Sequence, residues 1–181
     1  MNLSGAFTAL YTPFTPDGHV DLDAYEALCQ RLIDAEMGLV ACGTTAETPT
    51  LTDEEYHATV STAVRVAAGK IPVIAGTGSN CTRKTIALTR HAKELGADIA
   101  LVVTPYYNKP PQSSLIRHFT EVADHGGLPV MLYNVPGRTG VNMTAETSLA
   151  LAGHPQIVAV KEASGDMGQI QEIALHAPAG F

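Results

Sequence analysis

Six times along the chain a short run of β-branched and small apolar residues gives way to a longer stretch of helical periodicity, with no linker or low-complexity tract between them. Alternation of that kind confines a chain to α/β architectures built on a parallel sheet with right-handed crossovers. Strands are predicted at residues 6–11, 39–42, 72–75, 99–103, 129–133 and 157–161. The first helix is predicted to start after Asp21 and run to about Ala35, burying Leu22, Tyr25, Leu28, Leu32 and Ile33, with Gly38 ending it. The second opens on Thr52, whose partner Glu55 completes a capping box. Four more are predicted at residues 82–96, 113–124, 144–153 and 167–176, the third of the six closed by Gly96 and the fourth by Gly126-Gly127.

A parallel sheet with helical crossovers is either an open doubly wound sheet or a closed barrel. In the open sheet only loops beside the switch point meet at a site; in the barrel every loop that follows a strand does. Here polar or aromatic groups follow nearly every strand: Thr44 and Thr45, Tyr106 and Tyr107, Tyr133, and Lys161. That favours a (β/α)8 TIM barrel, of which residues 1–181 supply about the first six βα units as a single partial domain.

A net charge of -7 argues against nucleic acid or an anionic membrane as the main partner. Cys29, Cys42 and Cys81 are an odd number without C-x-x-C spacing, and read as reduced packing residues rather than a disulfide frame or zinc site. The seven histidines lack H-x-H or H-E-x-x-H spacing, so no metal is expected. GTGSNC fails the dinucleotide fingerprint at its last position, and neither a Walker-type G-K-[ST] nor a G-x-S-x-G is present. The opening MNLSGAFTALYTPF lacks the basic and apolar regions of a signal peptide, and no apolar run reaches membrane-spanning length, so a cytoplasmic protein is expected.

The residues left for chemistry centre on IVAVKEASGD, residues 157–166. Its apolar run, bounded by Gly153 and Pro155 before and Gly165 after, predicts a strand covered on both faces that delivers Lys161 at its end. A lysine at a strand end ordinarily snorkels into water. A buried one loses its proton more readily, and the neutral amine is the form that attacks a carbonyl. Tyr133 closes another strand with a hydroxyl that needs a partner. Arg138, in the tight loop VPGRTG, is suited to grip a carboxylate with both arms. The GTTAE turn offers the hydroxyls of Thr44 and Thr45 to a carboxylate or to the following segment as caps. The adjacent aromatics Tyr106 and Tyr107 have the character of an interface element.

GTTAE, TPYYNKP, YNVPGRTG and VKEASGD, in that order and at those intervals, resemble the dihydrodipicolinate synthase family of pyruvate-dependent class I aldolases. The likeness runs along essentially the whole chain, and Arg138 favours the synthases over their sialate-cleaving relatives. The resemblance implies a lyase of the diaminopimelate route to lysine that condenses pyruvate with aspartate semialdehyde. It assigns the pyruvate Schiff base to Lys161, and proton transfer to Tyr133 through Thr44 and a Tyr107 contributed by a neighbouring subunit. It gives the pyruvate carboxylate to Thr45 and the carboxylate of the semialdehyde to Arg138. It implies no cofactor beyond the imine itself and a homo-oligomer, dimer or tetramer. Another Schiff-base aldolase or dehydratase acting on a sugar acid, and a non-catalytic remnant of the fold, are the competing expectations.

Three departures from the family pattern stand out. Ala46 replaces a glycine, which costs about 1 kcal/mol if that position needs positive φ and nothing if it does not. Asn80 and Tyr106 match a lysine-effector site, but Lys84 stands where relatives carry a carboxylate, and Asp53 and Tyr56 stand at positions of histidines. Like charge at Lys84 predicts weak or absent inhibition by lysine, and marked inhibition at sub-millimolar lysine in a synthase assay would contradict it. Relatives also continue for two further βα units and a C-terminal helical segment, so a 181-residue product is expected to be incomplete and inactive or poorly folded.

Overall fold

The computed structural model describes residues 3–181; Met1 and Asn2, which open the run read for a leader, lie outside them. The chain forms two compact units, Met1–Gly76 with His91–Ile99, and Thr77–Arg90 with Ala100–Phe181. Every strand pairs in parallel with a neighbour in the chain.

In the first unit β1 (Phe7–Ala9), β2 (Gly38–Ala41) and β3 (Val73–Gly76) lie side by side, with Phe7 opposite Gly38 and Leu39 opposite Val73. β2 and β3 are buried along their whole length, as parallel strands covered on both faces must be. Helix α1 (Leu22–Asp34) starts where predicted: the Asp21 carboxylate accepts from Ala24 N–H at 2.9 Å. Its buried stripe is Tyr25, Cys29 and Ile33, while Leu22 is exposed and Leu28 and Leu32 only half-buried. The 25-29-33 spacing is one clean helical face, and Cys29 packs on it as a small hydrophobe. α1 ends before Gly38, at Ala35 and a left-handed Glu36 (φ 57°). Gly38 instead opens β2, where an added Cβ would collide with the Phe7 ring. Helix α2 (Asp53–Ala67) carries the predicted capping box, Thr52 and Glu55 bonding each other's backbone N–H.

The second unit holds most of α3 (Thr82–Glu94), and β4 (Ile99–Val103) from Ala100 onward. Helix α4 (Gln112–Gly126) follows, then β5 (Val130–Asn134) and a one-turn helix α5 (Pro136–Thr139). After it come α6 (Ala145–Ala152), β6 (Ile157–Glu162) and α7 (Met167–His176). β5 lies between β4 and β6. The expectation that β6 is covered on both faces does not hold: Ile157 is buried and the next five residues are only half-buried. Unlike β5, β6 has a paired strand along one side only among the described residues.

α4 buries Leu115, His118, Phe119 and Val122, positions three and four apart on one face. His118 sits edge-on to the Phe119 ring at 5.1 Å, its Nδ1 2.9 Å from Thr82 Oγ1 and its Nε2 without a partner. Burial pulls its pKa from 6.5 down to about 4. Between those values the unfolded chain takes up a proton that the native state refuses, so stability falls as pH drops from 6.5 towards 4. The full effect is about 3 kcal/mol. Urea titrations at stepped pH are expected to show a steeper acid-side loss for the parent than for His118→Asn, which keeps an acceptor for Thr82 and cannot charge. Identical slopes would remove His118 from the account.

Candidate active site

Parallel pairing puts Tyr133 of β5 directly opposite Lys161 of β6, and Asn134 opposite Glu162. Side chains alternate along a strand, so Tyr133 and Lys161 share one face while Asn134 and Glu162 share the other. Lys161 Nζ stands 4.6 Å from the centroid of the Tyr133 ring, within reach of a cation–π contact. Tyr133 is 7% exposed, a rigid wall, whereas Lys161 is half-buried and its amine is correspondingly less shielded than the sequence anticipates.

Arg138 lies in the last turn of α5, exposed, two residues before Gly140 closes that turn at φ 75°. Where the sequence predicts a tight loop, Pro136–Thr139 form a single helical turn. Pro136 in the first turn and a left-handed Gly140 after the last are the signals of a short helix that could have revealed it. Tyr107 is 88% exposed at φ 70°, and its N–H donates to Thr139 O at 3.3 Å, tying the tyrosine's backbone to α5. A left-handed tyrosine is uncommon, so its backbone is held in an unfavourable region. Asn80 and Asn108 bond each other, Asn108 Nδ2 donating to Asn80 O at 3.0 Å and Asn80 Nδ2 to Asn108 Oδ1 at 3.5 Å. Tyr106 beside them is half-buried, and Lys84 on α3 is exposed.

In the first unit, Thr44 and Thr45 are exposed on a 3-10 turn that follows β2, between Cys42 at φ 52° and Glu47 at φ 56°. Ala46, also in that turn, is fully buried and is not among the positive-φ residues. Its carbonyl accepts from Thr12 Oγ1 at 2.8 Å. Alanine therefore costs nothing in backbone strain at this position. Tyr56 is a core residue, 4% exposed, donating its hydroxyl to Gly76 O at 3.1 Å, and Asp53 is the exposed first residue of α2. Cys29 and Cys42 are free and buried, and burial raises their thiols to about 11 and about 12. Cys81 is free and half-buried. Among the described residues no three of His, Cys, Asp and Glu come together as a metal site, and no helix is long and apolar enough to cross a membrane.

The far face carries a polar cluster that the sequence does not announce. Asn134 is fully buried, and Glu162, Asn142, Gln169 and Gln112 converge around it in a connected hydrogen-bond network. Asn134 and Glu162 are 28 positions apart, and no local spacing announces such a pair.

Residues 2–181 match the model of the dihydrodipicolinate synthetase family. Among curated relatives, the 4-hydroxy-tetrahydrodipicolinate synthase of Exiguobacterium sibiricum is 53% identical over 98% of this chain and 61% of its own length. That of Stenotrophomonas maltophilia strain K279a is 52% identical over the same shares. Of solved structures, a dihydrodipicolinate synthase of Bacillus anthracis superposes with a TM-score of 0.96 at 42% identity, over 100% of this chain and 62% of its own. The chloride-inhibited enzyme of Acinetobacter baumannii, solved in complex with pyruvate, gives 0.92 at 45% identity over 96% and 61%. The chain thus spans about 61% of the length of these two curated relatives.

Proposed function

The chain belongs to the dihydrodipicolinate synthetase family, and from that premise we propose that the whole protein condenses pyruvate with L-aspartate-4-semialdehyde through an imine on Lys161. The observation that carries the assignment is the amine of Lys161 4.6 Å over the Tyr133 ring, at matched ends of paired strands. The uncharged amine adds to the keto carbon of pyruvate, and the carbinolamine loses water to give an iminium. The iminium draws electrons from C3, a C3 proton leaves, and the enamine's carbon attacks the aldehyde. Tyr133 delivers the proton that lets water depart and receives protons in the later steps.

The other roles follow family likeness. Thr44 and a neighbouring subunit's copy of Tyr107 pass protons, Thr45 holds the pyruvate carboxylate, and Arg138 takes the carboxylate of the semialdehyde. The exposure of Arg138 suits a group that meets an arriving substrate, and that of Tyr107 suits a side chain whose place is on another copy. A homo-oligomer is part of this proposal for that reason. No cofactor is needed, because the imine itself is the electron sink.

Incubation with pyruvate, reduction with borohydride and peptide mapping by mass is the direct test. The reduced adduct is expected on Lys161, and aspartate semialdehyde, not a sugar acid, is expected to consume the enamine. An adduct on another residue would overturn the assignment, and no adduct in folded protein would favour the remnant.

A further inference from the structure

We propose that Asn134 and Glu162 are positioning residues for Lys161, clamping the ends of β5 and β6 so that the amine stays over the Tyr133 ring; this rests on the assignment of Lys161 as the imine-forming lysine. The need for a clamp comes from the strand pair itself. Val130 pairs with Ile157, but Met131 pairs with Ala159, so the register shifts by one residue at Val158. A one-residue slip sends every later side chain to the opposite face, and with it Lys161. The apolar start of β6 therefore leaves two registers to choose between, and something beyond Val158 must select one.

The far-face cluster makes that selection. Asn134 Nδ2 donates to both Glu162 oxygens, at 3.1 and 3.0 Å, and also to Asn142 Oδ1 at 2.8 Å and Met143 O at 3.2 Å. Its Oδ1 accepts from Met143 N–H at 2.9 Å. The amide orientation is therefore fixed, since a flipped amide would face oxygens with its oxygen. Glu162 also accepts from Ser164 N–H at 2.8 Å and from Gln169 Nε2 of α7 at 2.9 Å. Both carboxylate oxygens are thus held by uncharged N–H donors, and Glu162 enters none of the ion pairs of the described residues. Asn142 and Gln169 bond each other at 2.9 Å, and Gln112 of α4 bonds Asn142 O at 2.8 Å. Either slip of β6 would turn the Glu162 carboxylate to the opposite face and away from the Asn134 amide, so the contact between the two strand ends, at 3.0 and 3.1 Å, exists in one register alone.

Glu162→Gln is the sharpest probe. Whichever way the new amide turns, its NH2 meets donors from Asn134 and from Ser164 or Gln169. The rate of borohydride-trapped imine formation at saturating pyruvate is expected to fall on the order of 100-fold, the scale of a misplaced reacting group. Half-saturation by pyruvate is expected to change little, since no clamp residue is assigned a pyruvate contact. Because the clamp acts by aligning Lys161 with Tyr133, adding Glu162→Gln to Tyr133→Phe should cost much less than it does alone. A merely structural defect would add in full. If Glu162→Gln does not fold, Gln169→Met removes the Gln169 bonds to Glu162, Asn142 and Met143 O but leaves the direct Asn134–Glu162 contact, and is expected to show a smaller loss with the same non-additivity. Rates within about twofold of the parent, or full additivity with Tyr133→Phe, would overturn the clamp and leave the Lys161 assignment standing. A parent protein that takes no pyruvate at Lys161 would overturn both.

Discussion

Lys161→Arg is expected to abolish covalent capture of pyruvate while leaving the protein folded. Arginine keeps a long aliphatic stem and a cation, and its guanidinium stacks on an aromatic ring at least as well as an ammonium. The contact over Tyr133, at 4.6 Å in the parent, is thereby conserved in kind. Position 161 is half-buried, so the larger head has room to reach solvent without opening the core. What arginine lacks is an accessible neutral form, because its pKa lies above about 12, so it offers no lone pair to a ketone. Intact mass after reduction should show no added pyruvate in the variant, and thermal melts should lie close to the parent. A pyruvate adduct on the arginine variant would mean that another amine is the nucleophile. Loss of the fold would mean that the lysine matters first as packing.

Much of the scaffold for that chemistry was legible in the chain. β4, the last helix, the Asp21 cap and the Thr52–Glu55 capping box stand where periodicity and capping chemistry place them. These are local features, decided within one or two turns of chain. The buried face of α1 is legible only in part: Tyr25 and Ile33 are buried as expected, but Cys29 completes the stripe while Leu22 is exposed and Leu28 and Leu32 are half-buried. A continuous apolar run such as residues 157–160 does not reveal how many faces are covered, which is why β6 was read as more buried than it is. The juxtaposition of Lys161 with Tyr133 was expected only as two residues ending neighbouring strands; their register is a property of pairing, and is shifted by one residue at Val158. The Asn134–Glu162 cluster was illegible for a related reason, since each member looks like an ordinary polar residue until the strands are set side by side. For Ala46 the sequence posed the right question, the sign of φ, and the 3-10 turn answers it.

Tyr133→Phe isolates the hydroxyl from the ring. The phenyl group preserves the wall beneath Lys161, and at 7% exposure there is little room for a replacement water to enter in the hydroxyl's place. Carbinolamine collapse requires that a proton reach the departing oxygen, and positioned acid–base groups are worth roughly 10²- to 10⁴-fold in such steps. At the lower end, imine formation at saturating pyruvate is expected to slow by about 100-fold, equivalent to about 2.7 kcal/mol of barrier. The adduct should still form, and still on Lys161, because the nucleophile is untouched. That combination, a slow rate with an unchanged site and end point, separates a proton carrier from a binding residue. A binding residue would raise the pyruvate concentration needed for half the maximal rate and leave the maximal rate alone. If Tyr133→Phe traps pyruvate within about threefold of the parent rate, the proton travels by another route, well short of what general acid–base catalysis supplies. In that case the contact of Lys161 with Tyr133 serves to place the amine, and the search for the acid moves to other hydroxyls.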